Sequence, residues 1–166
     1  MIRAISLAIL IVINFVLQST IFGFHDLGSI TPNLLLILTM SFGLMRGRRE
    51  GMLIGFFSGL LVDCFFTSVL GPYMFLYMII GYVNGFFHKN YMVEDVLLPL
   101  IVIIIDDFFF NVIVYLISFL LKNRLEFGTF FTNVILPEML CTALLTIIVY
   151  KIYVFINKLL KRKEES

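Results

Sequence analysis

The chain has 166 residues, is 61% hydrophobic and only 14% charged, and carries a formal net charge of +1. Soluble domains are about half apolar and about a quarter charged, so the composition excludes an ordinary soluble domain and indicates a polytopic, all-α membrane protein. At about 20 residues per spanning helix, the length allows six spans and leaves no stretch for a separate water-soluble catalytic domain.

Taken in order, Met1 to about Phe24 is one apolar run with a single early Arg3. It is longer than the apolar core of a signal peptide and lacks a small-x-small cleavage site, so it is expected to stay as the first span (about 4–24). Asn14 and Gln18 share one face of it. A short loop with His25 and Asp26 follows, and Pro32 is expected to open the second helix. That helix (span 28–45) is short for a bilayer, so it needs help from its flank or local thinning. The turn Arg46-Gly47-Arg48-Arg49 then leads into GMLIGFFSGLLVDCFFTSVLGPY, around which the chain is expected to be organised.

This third span (51–69) carries Gly51, Gly55 and Gly59 at four-residue spacing. Such a stripe lets another helix backbone approach closely, from within the bundle or from a partner. Asp63 lies in the same run; a carboxyl at membrane depth is costly and should face protein or a cavity. After an uncharged connection at Thr67–Pro72, the fourth span covers 72–88, and a loop with His88, Lys89, Glu94 and Asp95 follows. The fifth, 96–121, is interrupted early by Pro99 and holds Asp106 and Asp107. Lys122 to Gly128 reads as a polar loop. The sixth span, 130–157, contains Pro137 and Glu138, and the charged tail from Lys158 is expected to fray.

With both termini cytoplasmic, the inner segments hold ten Lys and Arg residues and the outer loops only Lys122 and Arg124. This is a strong positive-inside bias with Arg46, Arg48 and Arg49 as topology anchors; the tail adds lipid headgroup contacts. A rise of 1.5 Å per residue sets Asn14, Gln18, Asp63, Asp106, Asp107 and Glu138 in the middle or outer half of the bilayer, as a polar layer between helices one, three, five and six. Three readings stay open for it: internal pinning with Asn14, Gln18, Thr67 and Asn111 as partners, a small-ligand cavity, or contact with a partner helix. Asp106 and Asp107 point about 100° apart and do not form a catalytic pair.

No phosphate loop, metal motif or nucleophilic triad is present, and His25 and His88 lie on opposite sides of the membrane. No catalysis, cofactor, metal or nucleic acid is expected. Cys64 and Cys141, without CxxC or His–Cys spacing, read as apolar packing residues.

The motifs LQST, PNLLLILTMSFGLMRG and IGFFSGLLVDCFFTSVLGPYMFLYMIIGY, with a later LPEML and an acidic residue in the fifth helix, resemble the MreD family of the bacterial rod-shape system. GFxxGLLxD…TSxLGxY is the specific part. Where members often carry Asn a few residues after the late proline, this chain has Cys141 and Thr142. The resemblance implies a six-helix fold like the S components of energy-coupling-factor transporters. It also implies a non-catalytic role in the cell-wall elongation complex in the bacterial cytoplasmic membrane. The implied partners are MreC directly, and MreB, RodA and a class B penicillin-binding protein in the larger assembly that supports lateral peptidoglycan synthesis and rod shape. Gly51, Gly55, Gly59 and Asp63 become packing and partner-contact positions. The rival reading is a vitamin-binding S component, for which Ala4 and Ala8 form a small-xxx-small pair; the short outer loops, poor in capping residues, weigh against it. A proton or ion transporter using Asp63 and Asp106 is a weaker third reading, since no paired broken helices are seen.

Overall fold

The computed structural model describes residues 1–21, 33–66, 70–90, 97–122 and 127–165. Within them the chain is helical. Its elements are α1 (Ile2–Ile21), α2 (Leu34–Arg46), α3 (Arg48–Phe66), α4 (Pro72–Phe86), α5 (Leu97–Lys122), a single turn α6 (Phe127–Phe130) and α7 (Leu136–Glu165). A 3-10 turn at Phe87–Asn90 closes α4, and a π turn at Phe131–Ile135 leads into α7. Among the described residues three helices, α1, α5 and α7, are long and apolar enough to cross a membrane. α2 and α4 have 13 and 15 residues, and α3 carries Arg48, Arg49, Glu50 and Asp63.

The centre of the bundle is α2, where the sequence pointed to the third helix. Every residue from Leu34 to Met45 is buried, because α2 is apolar on all sides and α1, α3, α4, α5 and α7 pack around it. At 1.5 Å per residue, α2 is only about 20 Å long. Surrounded by protein rather than lipid, it does not have to match the bilayer. It starts at Leu34 with Asn33 as its N-cap, so Pro32, outside the described residues, precedes the cap and does not open the helix. The proline at a helix start is Pro72, in the first turn of α4.

Other boundaries also differ from expectation. α3 begins at Arg48, because Gly47 alone makes the turn; its φ of 103° is open only to glycine at low cost. Pro99 does not interrupt α5, since it falls in the first turn, where its missing N–H is not needed. Phe127 and Gly128 belong to the turn α6, not to a loop. Pro137 has no N–H to offer the carbonyl one turn back, and the π turn directly precedes it. The tail does not fray: α7 stays helical to Glu165. The expected features at His25, Asp26, Thr67, Glu94, Asp95 and Arg124 lie outside the described residues.

Candidate functional site

Among the described residues, the predicted polar residues are not joined into one network by hydrogen bonds. They divide into a cluster around the N-terminus of α2 and separate contacts elsewhere. A helix start leaves backbone N–H groups without partners, and here they are buried. Asn33 Oδ1 accepts the Leu36 N–H at 3.2 Å and the Tyr77 hydroxyl of α4 at 2.7 Å. Gln18 of α1 accepts the Leu35 N–H at 3.1 Å, and Thr142 of α7 accepts the Asn33 N–H at 3.3 Å. Two surrounding helices thus cap the central one, and Tyr77 of a third holds the N-cap side chain in place. Thr142 also faces Asp107, and Asn111 donates to Asp107 at 3.2 Å and reaches Glu138. Two buried carboxyl groups therefore stand beside the positive end of the α2 dipole.

The remaining predicted residues lie elsewhere. Asp106 accepts a hydrogen bond from Asn84 of α4 at 2.6 Å, so the adjacent acids do diverge onto different helices. Asn14 accepts the Tyr153 hydroxyl of α7 and donates to the Leu10 carbonyl. Asp63 is buried at the corner between α3 and α4. Its carboxylate accepts the backbone N–H groups of Gly71 (3.0 Å), Tyr73 (3.3 Å) and Met74 (3.0 Å). It acts as an N-cap supplied from the preceding helix, which explains why an Asp precedes the LGPY segment by this interval.

The glycine stripe faces α4. A Cβ on Gly51 would strike the Gly81 carbonyl, on Gly55 the Tyr77 carbonyl, and on Gly59 the backbone of Tyr73 and Met74. Each step of four up α3 is matched by about four down the antiparallel α4. Gly43 joins from α2, where a Cβ would lie 3.0 Å from the Gly81 carbonyl. Three helix backbones therefore meet at Gly43, Gly51 and Gly81.

The sequence reading missed Asn33, Tyr77, Asn84, Gly81 and Gly85. Of the buried stripe of α7, Glu138, Thr142, Thr146, Tyr150, Tyr153 and Asn157, it named only Glu138 as a buried polar residue. That stripe was available as polar residues at intervals of four, four, four, three and four. The opposite face carries exposed Leu140, Leu144, Ile148, Ile152 and Phe155. α7 is polar inward and apolar outward, as expected of a helix whose outer medium is lipid.

Residues 1–163 match the family described as rod shape-determining protein MreD. The chain belongs to the MreD family. It is accordingly a rod shape-determining membrane protein, in a family that is structural and not a known group of enzymes. Neither the curated proteins nor the solved structures give a match.

In this MreD-family protein the basic turn is more than a run of charge. Arg46 of α2 donates from Nε to Asn157 of α7 and pairs with Glu164 at 3.3 Å and with Glu50 at 3.8 Å. Arg3 pairs with Glu50 and, at 3.0 Å, with Glu164. One ionic clasp therefore ties the starts of α1 and α3 to the ends of α2 and α7. Arg48 instead stacks over the Phe86 ring at 4.4 Å, and Arg49 is exposed. His88 bonds the Leu44 carbonyl at 2.7 Å, closing the end of α2. Cys64 is exposed and Cys141 half-buried, both as free thiols.

The clasp has a pH dependence. Arg3 first, then Arg46, hold the Glu164 carboxyl below its ordinary value. Glu164 lies in the exposed tail, beyond the apolar part of α7. A depressed carboxyl contributes above its unfolded pKa and loses that contribution as pH falls through the folded one. The tail should stay protected from protease at neutral pH and become sensitive only below the usual carboxylate range. Glu164→Gln should be equally sensitive at every pH; a pH response that survives in this variant would assign the transition to another group.

Proposed function

We propose that this MreD-family protein is the non-catalytic, six-span membrane subunit of the bacterial cell-wall elongation complex, with both termini cytoplasmic. In this reading it binds MreC directly and, with MreB, RodA and a class B penicillin-binding protein, supports lateral peptidoglycan synthesis. The observation that carries it is the family match over residues 1–163.

Two features support the finer parts. Arg3, Arg46 and Arg48 gather at the end that also holds both described termini, which agrees with a positive-inside orientation. The acids serve neighbouring helices: Asp63 caps α4, Asp106 holds Asn84 of α4, and Asp107 faces Thr142 of α7. That pattern suits a rigid scaffold of the S-component kind. Gly51, Gly55 and Gly59 are occupied by α4, so we place the MreC contact on another face.

The test is mild-detergent capture of the tagged, full-length protein from native membranes, with identification of every co-purifying chain. Recovery of MreC and the cell-wall synthases is expected, and depletion should turn rods into spheres. Recovery of transporter ATPase subunits instead would overturn the reading and make the cluster at α2 a substrate pocket.

A further inference from the structure

We propose that the end of α4 and the basic turn beside it form a site for one anionic phospholipid, its phosphate held between Arg48 and Lys89. The site does not rest on the role in cell shape. Charge is divided unevenly at this end of the bundle. Arg3 and Arg46 are neutralised by Glu50 and Glu164. Arg48, Arg49 and Lys89 are exposed, and among the described residues no acid pairs with them.

A glycine brings two of these three cations together. A Cβ on Gly85 would strike the backbone of Arg48, so the turn rests directly on the end of α4. From there the Arg48 guanidinium lies over the Phe86 ring, 4.4 Å from its centroid. Lys89 follows Phe86 by three residues through the 3-10 turn, where residues three apart eclipse one another. Both cations therefore stand on the Phe86 side of the α4 end. Arg49 is the next residue of α3, turned about 100° away from Arg48.

Position and charge select the occupant. Phe75, Ile79, Tyr82 and Phe86 form an exposed apolar stripe along α4, and Tyr82 meets Phe86 edge-on at 5.1 Å. Such a stripe, ending in aromatic rings, faces lipid up to the headgroup level. Lys89 is its next step, and Arg48 covers its last ring. A guanidinium stacked on a ring keeps its in-plane N–H groups free for a phosphate. No carboxylate stands at the pair to receive an ammonium, because Glu50 is taken by Arg3 and Arg46. A headgroup with net negative charge is therefore preferred over a zwitterionic one.

The chain contains no tryptophan, so one introduced indole reports on its own surroundings. Full-length Phe87→Trp, beside the site, would be reconstituted in phosphatidylcholine bilayers containing chain-brominated phosphatidylglycerol or chain-brominated phosphatidylcholine. Ile5→Trp, next to the paired Arg3, is the reference. Phe87→Trp should be half-quenched at a lower fraction of the glycerol lipid, by about five-fold for each cation engaged. Ile5→Trp should show a clearly smaller preference. Adding Arg48→Gln or Lys89→Gln to Phe87→Trp should each remove about five-fold, whereas adding Arg49→Gln should cost less than about two-fold. Should Arg48→Gln fail to fold, Lys89→Gln against Arg49→Gln decides. Equal losses at all three positions would mean diffuse surface charge and overturn the site. Equal quenching by the two lipids does the same. So does shielding of Phe87→Trp from both lipids by a second copy or a co-purified chain, which would give the cations to that protein.

Discussion

Gly55→Leu should prevent accumulation of folded protein, whereas Gly128→Leu should be silent. At Gly55 even the first added carbon meets the Tyr77 carbonyl and the Met78 nitrogen, which are backbone atoms of α4 and cannot swing aside. Overpacking costs about 1–3 kcal/mol where side chains can adjust. Where two backbones touch, α3 and α4 must separate, so a loss of about 3 kcal/mol or more is expected, a large share of the ~5–15 kcal/mol typical of a domain. At Gly128 nothing lies within 4 Å of the added carbon, and the change should stay within about 0.5 kcal/mol. The readout is the amount of monodisperse protein extracted in mild detergent, followed by thermal unfolding. A well-folded Gly55→Leu protein that has lost only its partner complex would reverse the assignment and make the stripe a docking face.

Asp63 should show a graded series. In Asp63→Ala the N–H groups of Gly71, Tyr73 and Met74 lose their acceptor in a buried corner. An unsatisfied buried group costs about 1–3 kcal/mol, and part of the set will find other partners, so a net loss of roughly 3–5 kcal/mol is expected. Asp63→Asn keeps one acceptor oxygen but gives up the charge that favours a helix N-terminus, and should lose about half as much. Unfolding in mixed detergent micelles orders the three proteins. Equal losses for Asn and Ala would mean that the carboxylate charge, not its hydrogen bonding, is what holds the corner. The same corner constrains Gly71, whose φ of 129° makes even alanine strained. Loss of the cap and strain at Gly71 should both loosen the start of α4.

Much of this protein follows from periodicity and composition alone. Apolar runs near bilayer length gave helices in the described segments, and small residues every fourth position on α3 marked a close helix contact. The placement of Asp106 and Asp107 on different faces followed from 100° per residue, and the structure sends them to Asn84 and Asn111 respectively. A run such as PNLLLILTM, however, says only that its residues avoid water. Lipid and protein are equally apolar neighbours, so hydropathy does not tell a lipid-facing helix from a central one. Only tertiary packing made α2 the centre, and only that choice buried its N-terminus and called for Gln18 and Thr142 as acceptors, with Tyr77 donating to the N-cap Asn33. Asp63 shows the same limit: that it faces protein was legible, but its partner was a backbone turn brought beside it by the α3–α4 corner. Sequence determined which segments are helical and which faces are small or polar, because those depend on local spacing. Which polar group meets which between helices depended on how the helices cross, since the partners of Asn33, Asp63 and Asn84 come from distant parts of the chain.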